Sequence, residues 1–375
     1  YTYMSSINIK NVPAEEIAAG DEYQLEVISE PSDATFKRYK WISSNPEVAT
    51  VDEKTGLVTG ISKGDATITV TADDFSSTPV SASCKIGVKI VTPITGMTFT
   101  EDKELNQLGY GQEYQIKYTL EPVDATASLL TWTSDNPDMI SVDKTGKLKV
   151  HTTKTASAVI TASYGPVVQN VTVTVADGRF WYSLGNGLGN GQDNNWYLDG
   201  NGASVVSSDG KKTIVQMGSG YRGDLWLARS GKGKVVNVTP ADYRYFAIKV
   251  GFKSQLVPGK NKPNGCIKLE IFDDGIKKIG PEYFGTGGDA NNRYEILGAS
   301  EISTTEPNVL YYDLQSKYKT VTPTDWNQVF DLAQCKFVIA DFPETAQTYD
   351  LYWIRSFKSI EELQAFVDSE NNTNE

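Results

Sequence analysis

The chain has 375 residues, of which 47 are acidic and 35 basic, and its net charge is −12. No run of Lys and Arg interrupts this acidity, so nucleic acid and anionic membrane surfaces are not expected partners. The single histidine, His151, argues against catalysis that needs a positioned imidazole. Composition therefore favours a binding or scaffolding protein over an enzyme, and the length predicts about two to four domains.

The N-terminal half contains an internal repeat. Residues 20–25 return as 111–116, and the Trp-x-Ser-x-Asn-Pro motif at 41–46 returns at 132–137, each 91 positions later. Between the turn signals, apolar residues alternate with polar ones, as at 66–70, which indicates half-buried strands. A repeat of this length suits one β-sandwich per copy.

Each copy also carries Glu-Pro-x-Asp-Ala-Thr, at 30–35 and again at 121–126, and the first copy continues with Gly64-Asp65-Ala66-Thr67-Ile68-Thr69. This order of motifs resembles the bacterial Ig-like group 2 domain over residues 5–91, and more loosely the second copy. The resemblance implies extracellular spacer or adhesion modules. We expect one Ig-like domain at 1–91 and another at 92–176.

Single residues of the repeats have structural interpretations. Trp41 and Trp132 hold the same place in the two copies and are expected in the sandwich cores. His151 is expected at the surface, and Cys84 as a buried free thiol.

Residues 177–375 share none of the repeat motifs and contain five of the seven Trp and twelve of the twenty Tyr. Alternating segments such as 246–252 and 267–271 predict roughly nine or ten strands, which favours a larger two-sheet jelly roll. The predicted fold class is thus all-β: two Ig-like β-sandwiches in tandem, followed by a jelly-roll β-sandwich. One helix is predicted from Ser359 to Val367, capped by Ser359, with a frayed tail from Ser369.

The remaining cysteines and two tryptophans of this region can also be placed. Cys335 is in phase with apolar neighbours and Cys266 is not, so two free thiols are favoured over a disulfide between them. Trp353 is assigned to the core, and Trp181 is expected to cover the junction between domains.

The aromatic residues suggest a ligand. A sugar ring stacks on a flat aromatic face, and its hydroxyl groups need amide, carboxylate or guanidinium partners. Several segments combine these groups in Gly- and Asn-rich sequence, where core packing alone explains large aromatics poorly. The candidate glycan-binding residues are Trp196, Tyr221, Arg222, Trp226, Tyr283, Asn291, Tyr294 and Trp326.

Metal and catalytic sites are weakly indicated. Oxygen ligands that suit Ca²⁺ occur at Asp193, Asn194, Asn195, Asp199 and Asn201, but without EF-hand spacing, so turn chemistry is favoured over a structural Ca²⁺. No other cofactor or metal is expected. Acidic residues are abundant, yet none lies in a recognisable glycosidase signature.

The C-terminal segments 337–341 and 349–363, after tandem Ig-like domains, are similar to those of surface glycan-binding proteins of starch-utilisation-type systems. The resemblance implies a non-catalytic, monomeric outer-membrane lipoprotein at the cell surface, with its signal and lipid anchor outside this sequence. Its partners would be a polysaccharide, of β-glucan or xylan type, and a surface transporter complex. The alternatives are an adhesin or structural protein that binds another protein, and a glycoside hydrolase.

Overall fold

The structure is a computed structural model. It divides the chain into two compact units, one of Tyr1–Gly96 with Leu120–Leu129 and one of Met97–Thr119 with Leu130–Glu375. Residues 228, 266, 272, 273 and 281–285 are described by their backbone only. The structure describes residues 1–189, 196–199, 202–219, 222–228, 236–253, 266–273, 281–285, 294–315, 327–340 and 348–372.

The first unit contains an Ig-like sandwich, as predicted. Its sheets have the orders β2-β9-β8-β5 and β3-β7-β6, with β1 paired to β4. The strands are β1 (Ser6–Ile9), β2 (Ile17–Ala18), β3 (Glu22–Gln24), β4 (Val27–Glu30), β5 (Tyr39–Ser43), β6 (Ala49–Val51), β7 (Leu57–Gly60), β8 (Gly64–Ala72) and β9 (Ser81–Lys89).

The second repeat copies this plan. Its sheets include β14-β17-β18 and β12-β16-β15, and β11 runs parallel to β18 as β2 runs parallel to β9. Two 3-10 helices span Lys103–Asn106 and Ala127–Leu129. The strands are β10 (Gly96–Phe99), β11 (Leu108–Tyr110), β12 (Glu113–Gln115), β13 (Tyr118–Glu121), β14 (Thr131–Ser134), β15 (Ile140–Val142), β16 (Lys147–Val150), β17 (Ala156–Tyr164) and β18 (Val167–Ser183).

The repeated tryptophans lie in the cores, which confirms that prediction. Trp41 is 4% exposed and Trp132 is 9% exposed. A glycine with positive φ lies against each indole, Gly56 on Trp41 and Gly146 on Trp132, and an added Cβ at either glycine would come within 2.6 Å of the ring. The Trp and Gly motifs of the repeat therefore form one packing unit.

The second sandwich and the C-terminal region share a strand. β18 continues for 17 residues, pairing with β17 as far as Val175 and with the last strand of the chain from Trp181 to Ser183. The expected domain boundary at 176–177 therefore falls inside a continuous strand.

The C-terminal region is a two-sheet β-sandwich. One sheet contains β18, β20, β21, β24, β27, β28 and β30, and the other contains β19, β22, β23, β25, β26 and β29. The strands are β19 (Tyr197–Leu198), β20 (Ser204–Ser208), β21 (Thr213–Gln216), β22 (Leu225–Ala228), β23 (Val236–Val238), β24 (Tyr245–Gly251), β25 (Cys266–Asp273), β26 (Pro281–Gly285), β27 (Glu295–Ile296), β28 (Asn308–Asp313), β29 (Phe330–Ala340) and β30 (Thr348–Phe357).

Aromatic side chains fill the space between these two sheets. Phe337 of β29 contacts Phe246 and Tyr312 of the opposite sheet, each with ring centroids 5.7 Å apart. Trp196 joins this core, 5.4 Å from Phe337. Large rings suit this position because facing sheets lie about 10 Å apart.

The described residues contain one α-helix, α1 (Ile360–Asn372), which packs on the outer face of β24, β28 and β30. Ser359 caps it, as predicted, by accepting a hydrogen bond from the Glu362 N–H. The helix extends past Ser369, so the prediction of a frayed tail there is wrong. Glu370 explains the difference because it accepts hydrogen bonds from Trp353 and Lys249.

The junction within the second unit is tightly packed. Arg179, near the C-terminal end of β18, is buried and donates to the carboxylate of Glu104 over 2.7 Å. The hydroxyl group of buried Tyr110 accepts from the Gly178 N–H and donates to Asp177. Trp181 stacks beneath the Arg179 guanidinium and lies close to Gly109, where an added Cβ would clash with it. Trp181 therefore lies at the junction, as predicted.

The thiol and histidine predictions can be checked in the described residues. Cys335 is a free, fully buried thiol, as predicted, and Cys84 is free but half-buried. Cys335 pairs in register with Ile271, so Cys266 lies about 17 Å away along β25, too far for a disulfide. His151 is half-buried rather than fully at the surface and bonds Ser141 through Nε2.

Candidate functional site

Two of the predicted sugar-stacking residues are buried in the C-terminal sandwich. Trp196 has no exposed surface, and Tyr294 is 7% exposed with its ring against Tyr312. The predictions for Trp196 and Tyr294 are therefore wrong. Polar flanking sequence made Trp196 look like a loop residue, whereas the sandwich uses its large side chain to fill the space between the sheets.

Several other predictions fall outside the described residues. These are the glycan-binding candidates Tyr221, Asn291 and Trp326. The same holds for the oxygen ligands Asp193, Asn194, Asn195 and Asn201, whereas Asp199 is described and half-buried. Within the described ranges, no group of three or more His, Cys, Asp and Glu side chains could hold a metal ion.

Two of the remaining candidates, Arg222 and Trp226, lie on the outer side of the second sheet, and the side chain of Tyr283 lies outside the described residues. Trp226 pairs in register with Lys336, Lys336 with Glu270, and Glu270 with Tyr283. The sheet thus brings Trp226 and Tyr283, which are far apart in sequence, into one cross-strand row. Because successive side chains of a strand point to opposite faces of the sheet, Trp226 lies on the other face from Leu225, as predicted.

Trp226 is nevertheless not an open platform. Its side chain is 9% exposed, and the Lys336 ammonium lies 4.4 Å from the centre of its ring. Lys336 in turn pairs with Glu270 over 2.9 Å. The prediction of an exposed stacking face at Trp226 is therefore wrong, because a cation occupies that face.

Arg222 belongs to the same charge network. Its guanidinium donates to both carboxylate oxygens of buried Asp224, at 2.7 to 3.1 Å. Lys336 approaches Asp224 at 3.8 Å, and Lys268 pairs with Glu270 at 3.1 Å. Each buried carboxylate thus has two cationic neighbours, which is the arrangement of a structural ion-pair network rather than of a glycosidase acid and base.

An open groove lies on the opposite side of the sandwich, beside α1. We call it the helix groove; its volume is about 660 Å³. Its walls combine one tyrosine with amide, hydroxyl, carboxylate and ammonium groups over an apolar base. The lining residues are Lys211, Lys249, Ile296, Leu297, Ala299, Ser303, Glu306, Pro307, Asn308, Val309, Tyr352, Gln364, Val367, Asp368 and Asn371.

Tyr352 supplies the aromatic surface of the helix groove. It is half-buried on β30, and the Lys249 ammonium lies 5.6 Å from its ring centre. Lys249 is anchored by Glu370 of α1 at 3.1 Å, so the helix fixes the cation beside the ring. Burial raises the pKa of the Tyr352 phenol further above physiological pH, where the hydroxyl group is neutral.

The polar groups of the helix groove are held by local contacts. Buried Asn308 accepts a hydrogen bond from the Ser303 N–H and donates to the Ser303 carbonyl, which fixes the turn before β28. Gln364 donates to Asp368 one helical turn later, at 2.8 Å. These contacts order side chains that line the groove, a requirement for selective binding.

Sequence reasoning missed the helix groove. Its residues come from β24, β27, β28, β30, α1 and two turns, and no short segment contains them together. The available signal was Tyr352, which interrupts the alternation of the closing strand at 349–357. Within the described residues, no helix is long and apolar enough to cross a membrane.

Two families match parts of the chain. The bacterial Ig-like domain (group 2) matches residues 6–82, and a domain of unknown function, DUF4979, matches residues 184–363. An uncharacterized protein of Clostridium acetobutylicum is 30% identical over 139 residues, which is 37% of this chain. The chain spans 13% of that relative's length. The first sandwich is thus similar to bacterial Ig-like domains in sequence as well as in fold.

Parts of the chain also align with solved structures. Domains 4 and 5 of the S-layer protein SbsC are 21% identical, covering 46% of this chain and 98% of theirs, with a TM-score of 0.22. Fibronectin(III)-like modules of Clostridium thermocellum CbhA are 14% identical, covering 45% and 92%, with a TM-score of 0.24. At these TM-scores, neither likeness supports an inference about function.

Proposed function

We propose that this is a non-catalytic protein of the cell surface whose C-terminal sandwich binds a polysaccharide in the helix groove. The two Ig-like sandwiches act as spacers. One observation carries the proposal: the groove combines the ring of Tyr352 with amide and carboxylate groups from α1. Binding sites of this kind need an apolar or aromatic surface together with a few placed polar groups.

The charges of the helix groove favour a neutral glycan. Lys211 and Lys249 are offset by Glu306 and Asp368 among the lining residues. A balanced site gains little from a charged ligand, so affinity should depend weakly on ionic strength. Neutral plant polysaccharides of the β-glucan or xylan type fit this description.

Affinity electrophoresis of the full chain in gels containing soluble β-glucan or xylan tests the proposal. Wild type should be retarded, and Tyr352→Ala should remove the retardation, whereas Tyr352→Phe should keep most of it because the ring remains. Tyr245→Ala is the matched control, since Tyr245 is also half-buried on the outer face of this sheet but does not line the groove.

Two results would count against the proposal. If neither polysaccharide retards the wild type, the named ligand class is wrong. If Tyr352→Ala migrates like wild type, the ligand lies elsewhere. Trp226→Ala tests the sequence-based prediction that Trp226 binds the glycan. Because this ring is buried, its loss should lower stability without a specific loss of binding.

The proposed location is the outer membrane, through a lipid anchor outside this sequence, with a surface transporter complex as partner. Metabolic labelling with a radioactive fatty acid in the native cells, together with protease digestion of intact cells, tests the anchor and the exposure. Absence of label from the full-length protein, or protection from external protease, would overturn this location.

An exposed aromatic patch on the first sandwich supports a second candidate, binding to another protein. Phe75 is 68% exposed with φ of +66°, beside Phe36 and the Arg38 guanidinium. Buried Asp74 fixes this loop by accepting hydrogen bonds from the Met4 and Ser76 N–H groups. Peptides selected from a display library on the full chain should lose binding to Phe75→Ser; selection of only insensitive peptides argues against this candidate.

A further inference from the structure

A second groove lies within the second Ig-like sandwich. It has a volume of about 510 Å³ and lies between residues 98–106 and 169–172. We propose that this second-sandwich groove is an additional binding site for the same neutral polysaccharide. The inference rests on the proposed function for the choice of ligand, and it makes the second sandwich more than a spacer.

An aromatic ring forms part of the groove wall. Phe99 is half-buried and lines the groove, and its ring stacks on Trp132 with centroids 5.7 Å apart and planes 12° apart. Trp132 is itself fixed in the core beneath Gly146. The ring of Phe99 is therefore held in one orientation, which lowers the entropy lost when a ligand stacks on it.

Amide groups with unused hydrogen-bonding capacity line the same groove. Within the described part of the chain, the side chains of Asn106 and Gln169 make no hydrogen bond. Asn170 uses its carbonyl oxygen to accept from Thr161 at 2.7 Å, which leaves its NH₂ group available. Such amides offer both donors and acceptors, as sugar hydroxyl groups require.

The acidic part of the wall is fixed and largely compensated. Asp102 accepts from the Tyr114 hydroxyl, from Lys117 at 3.0 Å and from the Glu104 N–H at 3.0 Å. Glu101 and Lys103 offset each other among the lining residues. The groove is therefore preformed and nearly neutral, like the helix groove.

The first repeat serves as an internal comparison. The strand register matches Asn170 to Ser83, since Asn170 pairs with Thr161 and Ser83 with Thr69. Phe99 corresponds to Ile9 at the end of the equivalent strand. The 3-10 helix at Lys103–Asn106 has no counterpart between β1 and β2. The aromatic ring, the amide and this wall thus occur together only in the second copy of the repeat.

The two grooves belong to one compact unit. β18 contributes Gln169 and Asn170 to the second-sandwich groove and reaches Trp181, which packs against Phe366 of α1. From Asn170 to Trp181 the strand extends about 36 Å. A long polymer has the length to reach across this span, whereas a tetrasaccharide is too short to do so. Occupation of two linked sites raises affinity far above that of one site.

Isothermal titration of the full chain tests the inference, with soluble β-glucan and xylan each supplied as polymer and as tetrasaccharide. The double variant Gln169→Ala/Asn170→Ala should lose roughly 100-fold in affinity for the polymer. The affinity for the tetrasaccharide should fall less in this double variant than in Tyr352→Ala. Ser83→Ala, at the matching position of the first repeat, is the control and should behave like wild type.

The outcomes separate the inference from the proposed function. If the double variant binds polymer as tightly as wild type while Tyr352→Ala does not, the inference is overturned and the proposed function stands. If the double variant loses binding and Tyr352→Ala retains it, the second-sandwich groove stands and the helix groove is not the site. If wild type binds no polymer, both are overturned.

Discussion

The packing of glycine on tryptophan in the first sandwich makes a quantitative prediction. Gly56→Ala places a Cβ atom 2.6 Å from Trp41 Cε2, at a residue with φ of +75°. The left-handed backbone alone costs an alanine about 1–2 kcal/mol. Carbon atoms prefer separations near 3.5–4.0 Å, so the buried indole must shift, and such overpacking costs about 1–3 kcal/mol more. The free energy of unfolding should therefore fall by about 2–5 kcal/mol.

Gly20→Ala separates the two contributions. Gly20 has φ of +94°, and an added Cβ meets no atom within 4 Å, so this variant carries the backbone cost without the clash. Its unfolding free energy should fall by only about 1–2 kcal/mol. Urea unfolding of the full chain, monitored by the fluorine NMR signal of fluorotryptophan at Trp41, measures the unfolding free energy of the first sandwich in both variants. Equal losses for Gly56→Ala and Gly20→Ala would refute the packing argument.

Three further predictions concern the second unit. Arg179→Met should destabilise the junction by about 3–5 kcal/mol because it leaves Glu104 without its buried cation, whereas Arg38→Met, at an exposed pair with Asp73, should cost less than about 1 kcal/mol. Hydrogen exchange of the β11 amides measures the destabilisation by Arg179→Met, and unchanged protection of these amides contradicts the prediction. Burial raises the pKa of the Cys335 thiol, so this thiol should react with a disulfide reagent only after denaturation. A variant with Cys84 and Cys266 changed to Ser isolates the reaction of Cys335, and rapid reaction of the native variant would show that Cys335 is accessible. The Tyr114 hydrogen bond, then the Glu104 N–H and Lys117, lower the pKa of Asp102 to about 2 from 3.8. Its contribution to stability is thus present above pH 3.8 and lost as the pH falls towards 2, so Asp102→Asn should flatten the acid-induced loss over that range; an unchanged profile argues against these contacts.

Local sequence was sufficient for much of the architecture. Period-two alternation at 66–70 predicts a strand with one buried face, and the structure buries Ala66, Ile68 and Val70 in β8. The repeated Trp and Gly motifs likewise identify core positions, because an Ig-like sandwich places them against each other. Ser359 followed by Glu362 was enough to locate the start of α1.

The candidate site was much harder to predict. Trp196 follows polar residues and Trp226 stands between two leucines, yet Trp196 fills the core and Trp226 lies under the Lys336 ammonium. Sequence alternation does not report what packs against the outer face of a sheet, because that depends on partners distant in the chain. The same limit hid the helix groove, whose Tyr352 and Gln364 meet only when α1 folds back onto β30.

The sequence by itself determined the all-β class, the Ig-like repeat and the concentration of aromatic residues in the C-terminal half. These properties depend on short-range patterns, namely side-chain alternation, turn residues and motifs at constant spacing. The tertiary structure decided which aromatic rings are buried, that β18 joins the second sandwich to the third, and where grooves remain open. Those outcomes follow from contacts between strands far apart in sequence, where burial and charge pairing are set by the neighbours that folding supplies.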